Sequence, residues 1–414
     1  MNELETKGML AKQAARQLNT VIEKINPGLQ AMADALENKT ESILRENEKD
    51  MRNAKENNLN PVLMDRLLLT PERIRQTAAG IRQVILLDSP LGMVLHEYDN
   101  PNGMNVKKIT VPLGVIGIIY ESRPNVTADA AALCLKAGNA VMLRGGKEAI
   151  LSNKIITNVL AEAAETAGLP KGCIQLIEDT SRESALGLMR LNQYLDAIFP
   201  RGGPGLINAV MENATVPAIE TGVGNCHVYV DASADLTMAK AIAVNAKINL
   251  PSVCNAAEKL LVHRDIAARF LPDVLAELTE KGVEIRGDNE TRKIYAKALP
   301  ATGEDWHTEY LDMIIGVKVV SDVDEAIRHI NAYSTHHSET VVAEDIEIQN
   351  KFLTEIDSST VYVNVSTRFT DGFEFGLGAE MGISTQKVHA RGPIGLKELT
   401  STKFLVRGNG QVRK

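Results

Sequence analysis

The chain lacks most of the features that would assign it at a glance. Its 414 residues hold four cysteines with no CxxC spacing, which argues against a disulfide framework or a cysteine zinc site and for thiols kept reduced in a cytoplasm. Positive charge is in deficit: 45 Lys+Arg against 53 Asp+Glu leave a net charge of −8, the opposite of a nucleic-acid footprint. No window reaches the ~18 uncharged apolar residues of a membrane span. The opening MNELETKGMLAKQAARQL mixes both charge signs where a signal peptide needs an apolar run. Three signatures are missing as well. RGGKE (144–148) is not a P-loop, because GxxxxGK[ST] needs more residues between glycine and lysine and a hydroxyl after the lysine. Gly376, Gly378 and Gly382 miss the spacing of GxGxxG, and GxSxG does not occur. There is no internal repeat, no low-complexity tract and no third ligand beside His336-His337, so no metal is expected. What remains is an ordinary composition, 44% apolar and 24% charged, in a chain long enough for two or three domains. A small-molecule enzyme or an acidic scaffold fits it.

Residues 1–88 read as helical, with Leu36, Ile43, Leu44 and Met51 recurring on one face until Asn57 to Pro61 breaks the pattern. Two strand-like runs, GMVLHEYDN and MNVKKITV, flank the turn Pro101-Asn102-Gly103 and predict a hairpin, a usual form of assembly arm. From Val111 to Asp231 short β-branched runs alternate with helical ones, the βαβ signature of a doubly wound parallel sheet. A second alternation runs from about Leu236 to Val365, and TKFLVRGNGQVRK closes the chain as a late strand and basic tail. The fold class is therefore α/β, two doubly wound domains with a cleft between them plus a small β arm.

Several loops after predicted strands carry chemistry, and each has a plain reading beside the functional one. LPSVCNAAE (250–258) places Cys254 after a Pro-Ser turn and ahead of an expected helix start, where amide groups and the helix dipole favour a thiolate; otherwise it is a small buried hydrophobe. Cys134, Cys173 and Cys226 lie in apolar or strand-like runs and read as core. Arg144 and Lys147 in RGGKE, and Arg201, Gly202 and Gly203 in PRGGPG, make two cationic glycine turns that are either phosphate cradles or solvated loops. Glu220 in AIETGVGN is a candidate general base or an exposed cap.

Together these pieces resemble the aldehyde dehydrogenase superfamily over nearly the whole chain. VPLGVIGIIYESRPN (111–125) is similar to its PLGVVG-strand-PWN segment, AGNAVMLRGGKEA (137–149) to GNxVVLKPxE, AIETGVGN (218–225) to the ELGG segment and TEYLDMIIGVKVV (308–320) to EIFGPV. The stretches ESRPNVTADAAALCLKAGNAVMLRGGKEA, LPSVCNAAE and VNVSTRFTDGFEFGLGAEMGIST look like the phosphorylating branch that acts on L-glutamyl 5-phosphate. Arg144-Gly145-Gly146-Lys147 stands where the wider family has Lys-Pro-x-Glu, and lysine beside arginine attracts a 2′-phosphate that glutamate would repel, so NADP(H) is the expected cofactor. Pro124 replaces the tryptophan of PWN, and Asp312 stands where EIFGPV has glycine, which loosens the position of the glutamate contact.

The resemblance implies a reaction and a set of roles. Cys254 attacks the acyl carbon of L-glutamyl 5-phosphate, phosphate departs, and NADPH reduces the thioester to L-glutamate 5-semialdehyde, the second step of proline biosynthesis from glutamate. It places Asn125 at the oxyanion, Glu220 as proton shuttle or structural contact and Glu309 at the nicotinamide ribose, with Arg144, Lys147, Arg201, Gly202 and Gly203 on the cofactor. The cation and hydroxyl groups of Arg123, Ser366, Thr367 and Arg368 are candidates for phosphate and the amino-acid head, with Arg368 suited to a carboxylate and Glu121 to the α-ammonium. The implied domains are 1–90 with 112–231 for the dinucleotide, 232–365 for the cysteine, 91–111 with 397–414 for an oligomerisation arm, and 366–396 as a return segment. A homo-oligomer in the cytoplasm, supplied by glutamate 5-kinase, is expected, with no nucleic-acid or membrane partner. The competing readings are a hydrolytic or CoA-acylating aldehyde dehydrogenase, and a non-catalytic protein that binds metabolites or a partner.

Overall fold

The computed structural model describes residues 2–413 and divides into two compact units, one of Met1–Thr221, Leu377–Gly382 and Ile394–Lys414, the other of Gly222–Gly376 and Ile383–Pro393. The first begins with five helices, α1 (Glu3–Leu18), α2 (Ile25–Asn38), α3 (Thr40–Glu56), α4 (Pro61–Leu67) and α5 (Pro71–Leu86). Their starts are encoded locally. Asn2 and Glu5 form a reciprocal capping box on α1, and Thr70 caps α5 ahead of Pro71. Leu36 and Ile43, expected on one continuous face, belong to different helices because the chain breaks at Lys39, yet both are buried.

A four-stranded parallel sheet follows, in the order β5-β4-β3-β6. It is built from β3 (Val115–Tyr120), α6 (Pro124–Lys136), β4 (Ala140–Arg144), α7 (Ile150–Thr166), β5 (Ile174–Leu176), α8 (Arg182–Met189), β6 (Ala197–Arg201) and α9 (Pro204–Asn213). All six residues of β3 are buried, which is why VIGIIY is an unbroken apolar run and not an alternating one. The chain winds from β3 to β4 and β5 on one side and returns to β6 on the other. The carboxyl ends of β3 and β6 therefore flank the reversal point, the usual ligand position in such sheets.

The arm is a three-stranded antiparallel sheet of β1 (Val94–Asp99), β2 (Asn105–Pro112) and β16 (Thr400–Arg407), with Gly103 at φ +75° in the expected turn. Every residue of β1 is exposed.

In the second unit seven parallel strands lie in the order β10-β9-β11-β8-β7-β12-β13. The chain runs β7 (Cys226–Val230), α10 (Leu236–Ile248), β8 (Ala257–His263), α11 (Arg264–Glu280), β9 (Glu284–Gly287), α12 (Asn289–Ile294) and β10 (Leu299–Pro300). It continues through β11 (Ile314–Val320), α13 (Val323–Tyr333), β12 (Ser338–Val342), α14 (Ile346–Glu355) and β13 (Thr360–Val363), then the short pair β14 (Ile383–Ser384) and β15 (Gly392–Pro393). Leu260 and Val262 of β8 join one apolar cluster and Leu261 the other, so helices cover both faces.

Two boundaries differ from those expected. The division falls after Thr221 and not at Asp231, because β7 hydrogen-bonds to β8 and β12 and so belongs to the second sheet. Residues 366–396 are not one return segment: 377–382 and 394–396 lie with the first unit, 366–376 and 383–393 with the second. Among the described residues no helix is long and apolar enough to cross a membrane.

Candidate active site

Cys254 sits in the tight turn between α10 and β8, which Leu250 opens at φ +61°. The expected helix after it is absent. Ala257 to His263 form a strand instead, so no dipole of a following helix acts on the thiol. Burial separates the four cysteines. Cys134, Cys173 and Cys226 are 0%, 1% and 0% exposed, whereas Cys254 is half-buried. Loss of water pushes the Cys173 thiol up to about 12 and raises the Cys134 and Cys226 thiols well above their ordinary value, which disfavours all three as thiolates.

The Cys254 peptide is held from two sides. The Cys226 thiol donates to its carbonyl oxygen at 3.2 Å. Gly224 passes so close that a Cβ there would overlap the same oxygen, which explains a glycine at this point. Gly224 in turn donates its N–H to the Glu309 carboxylate at 2.6 Å. Burial raises the Glu309 carboxyl above its ordinary value, with the Gly224 amide and Lys259 opposing. The glutamate expected at a nicotinamide ribose is thus already committed through one oxygen to the cysteine turn.

Behind this turn lies a buried polar hub that the sequence reading does not single out. Asn225 donates to the carbonyls of Trp306 and Tyr333, both at 2.8 Å, and its N–H reaches the Thr335 hydroxyl. Lys259 closes the hub by donating to the Asn225 side-chain oxygen at 2.7 Å and to the Thr308 carbonyl at 2.8 Å, with its ammonium 4.6 Å from the Tyr310 ring centre. Lys247 and Glu258, both fully buried, pair at 3.1 Å next to it. Burial raises Glu258 and lowers Lys259, each tempered by the opposite charge of the other. Asp305 anchors the same loop. It accepts from Arg286, from the Thr302 amide and hydroxyl, and from the Tyr310 hydroxyl. The available signal was a charged pair, Glu258-Lys259, inside a strand otherwise apolar.

On the other side of the turn, Thr367 donates to the Asn255 carbonyl at 2.7 Å, and the Asn255 amide donates back to the carbonyls of Arg368 and Thr370. Ser366 caps this short turn by accepting the Arg368 N–H. Both hydroxyls thus help to fix the segment, Ser366 as an acceptor and Thr367 as a donor. Arg368 is half-buried, its Nε has no partner, and Cys254 and Asp371 lie near enough to act on its charge. His337, just before β12, is fully buried beside the Cys226 sulphur, and burial holds its imidazole down to about 4.

The remaining candidates lie in the first unit. Asn125 stands on the first turn of α6 and donates its amide to Asp129 at 3.1 Å. Arg123 precedes it, exposed. Glu121, expected to take an ammonium, instead accepts the Gly203 N–H at 2.9 Å, while its own N–H donates to the Arg201 carbonyl. Its carboxylate closes the PRGGPG turn, and a Cβ on Gly202 would crowd it. Arg144 donates to the Thr180 and Ser181 carbonyls, which ties down the loop after β5, whereas Lys147 is exposed at the end of β4. Glu220 is half-buried in a segment that makes one isolated bridge, Ala218 with Ile198, and no strand.

The family model described as aldehyde dehydrogenase family matches residues 11–292. Gamma-glutamyl phosphate reductase of Caldicellulosiruptor bescii is 55% identical over 419 residues, and that of Clostridium perfringens strain SM101 is 56% identical over 414, each covering 100% of both chains. The crystal structure of gamma-glutamyl phosphate reductase from Thermotoga maritima is similar with a TM-score of 0.98 at 48% identity, again covering 100% of each chain. The chain belongs to the aldehyde dehydrogenase family and, within it, to the gamma-glutamyl phosphate reductases.

Proposed function

We propose that the chain reduces L-glutamyl 5-phosphate to L-glutamate 5-semialdehyde and phosphate, with NADPH as reductant and Cys254 as the residue that carries the acyl group. The observation behind the choice of thiol is burial: Cys254 alone of the four cysteines is reachable, while Cys226 beside it is sealed and holds the Cys254 carbonyl. The sulphur attacks the acyl carbon, the carbon–oxygen bond to phosphate breaks with its electron pair leaving on phosphate, and a thioester remains. NADPH, when bound, supplies the hydride that takes this thioester to a thiohemiacetal. Collapse of the thiohemiacetal breaks the carbon–sulphur bond, frees the semialdehyde and restores the thiolate.

Asn125 is assigned to the oxyanion, a contact whose loss costs about 3–4 kcal/mol of barrier. Arg368, the cation that feels Cys254, suits the departing phosphate better than the distant carboxylate. Lys147, exposed at the end of β4, is fitted to the 2′-phosphate of the cofactor, and Arg201, Gly202 and Gly203 line the reversal point where its pyrophosphate belongs. Glu309 is assigned to the ribose through the carboxylate oxygen that does not bind Gly224. Because phosphate and not water takes the acyl group in reverse, Glu220 needs no hydrolytic role. Exposed Leu95, Tyr98, Phe404 and Val406 on the arm suit pairing with a second copy. An acyl phosphate hydrolyses readily, so direct delivery by the glutamate 5-kinase that makes it belongs to this reading.

The test is NADP⁺ reduction with glutamate 5-semialdehyde, with and without phosphate, for the wild type and Cys254→Ala. Strict phosphate dependence in the wild type and no activity in the variant are expected. Reduction without phosphate would make the enzyme hydrolytic, and a fully active variant would remove Cys254.

A further inference from the structure

A cavity of about 430 Å³ opens between the α4–α5 connection and the first turn of α6, within the first unit. Its size is that of a small-ligand pocket. Asp65, Arg66, Arg73, Arg123, Asn125 and Asp129 line it, so charges of both signs converge on the residue assigned to the oxyanion.

These groups are not equivalent. Arg73 is consumed by the loop itself, donating to the Asp65 and Leu68 carbonyls and to the Asp65 carboxylate. Arg66, by contrast, makes no hydrogen bond or ion pair among the described residues, although it is half-buried at the last turn of α4. Opposite stands Asp129, whose side chain accepts the Asn125 amide. Loss of water pushes its carboxyl up to about 6 against the Asn125 amide and the Arg201 charge. A nearby cation would lower it again.

The wall that carries Arg66 is fixed in advance. Asn47, 2% exposed, accepts the Leu69 N–H at 2.9 Å and donates to the Leu67 carbonyl at 2.8 Å and to the Ser152 hydroxyl at 3.0 Å. Asp50 accepts from Ser152 at the start of α7. A connection held by buried polar groups presents its cation from a fixed backbone, so binding has only the side chain to order.

We propose that this cavity is the amino-acid subsite: Arg66 grips the α-carboxylate of the glutamyl group and Asp129 faces its α-ammonium, while the acyl end lies at Asn125. The assignment rests on the proposed reaction and replaces Arg368 and Glu121 as partners of the head group.

Truncated aldehydes test it on the full-length enzyme. 5-Oxopentanoate keeps the carboxylate and lacks the amine; 4-aminobutanal keeps the amine and lacks the carboxylate. Arg66→Met should raise KM for glutamate 5-semialdehyde and 5-oxopentanoate about tenfold or more, leave 4-aminobutanal within about twofold, and leave KM for NADP⁺ unchanged. Arg66→Lys should recover part of the loss. Asp129→Asn should narrow the preference for glutamate 5-semialdehyde over 5-oxopentanoate by about tenfold; any change through Asn125 falls on both substrates and cancels in that ratio. Equal losses on all three aldehydes, or none, overturn the subsite. A wild type without phosphate-dependent NADP⁺ reduction overturns the reaction instead, so the two failures are distinct.

Discussion

The Cys226 thiol donates to the Cys254 carbonyl across 3.2 Å, so one cysteine fixes the backbone of the other. The first is structural, and the second is the proposed nucleophile. Iodoacetamide at pH 8 should therefore label Cys254 ahead of the other three, with activity lost in step with labelling read by peptide mass spectrometry. Cys254→Ala should lower kcat by more than about 10⁴-fold, and Cys226→Ala by less than about tenfold. Labelling of Cys226 with loss of activity in its alanine variant would reverse the roles.

Gly224 has no room for a side chain. A Cβ would overlap the Cys254 carbonyl oxygen, and the neighbour is backbone, which cannot swing aside. Gly224→Ala must displace either the cysteine turn or the Glu309 contact. A misplacement of about 1 Å at a reacting centre costs on the order of 10²-fold. The expected outcome is a folded protein, by circular dichroism, with kcat reduced by about that factor and the Cys254 alkylation rate changed. A variant with wild-type kcat would show that the turn tolerates the shift.

Strand and turn signals are local, which is why β3, β4 and β6, and the glycine loops after β4 and β6, were legible as apolar runs and punctuation. Of the proposed site, the sequence offers residues only beside such punctuation: Cys254 in a turn, Lys147 after β4 and Asn125 on the first turn of α6. Asn225, Lys259 and Asp305 escape because their partners are remote in sequence: Lys259 meets the Thr308 carbonyl, and Asp305 meets Arg286. The helix start expected after Cys254 does not form, because EKLLVH, a strand-like run of the second alternation, begins almost at once and pairs as β8 with β7 and β11. Glu121 has a partner of the same remote kind: one of its oxygens accepts the Gly203 amide, a contact that no local spacing announces.

Arg144 and Lys147 are separable by cofactor preference. Arg144 donates to the Thr180 and Ser181 carbonyls, so its loss should cost stability before affinity. Lys147 is exposed, and its replacement by alanine should raise KM for NADP⁺ about tenfold while leaving NAD⁺ turnover unchanged. Steady-state kinetics with both cofactors decide it. Equal losses on the two would move the 2′-phosphate contact elsewhere.

Asp305 should give the enzyme an acid limit of known sign. Burial alone would raise its carboxyl, but Arg286, Thr302 and Tyr310 outweigh that and hold it far below the usual carboxylate range. The unfolded chain titrates this group near ~3.9. Between the two values the unfolded state binds the extra proton, so the contribution is fully present above about pH 5 and is lost as pH falls toward the folded value. With the Asp305 side chain 7% and Arg286 33% exposed, the network is worth about 2 kcal/mol. Asp305→Asn removes the titration and most of that contribution. The gap in urea midpoint between wild type and variant should thus be widest near pH 7 and shrink below pH 4. Because the same loop carries Trp306 and Thr308 to Asn225 and Lys259, the variant should also lose kcat by more than it gains in KM at neutral pH. A gap that does not change with pH would mean that the carboxyl titrates alike in both states, and the anchor would then lie elsewhere in the loop.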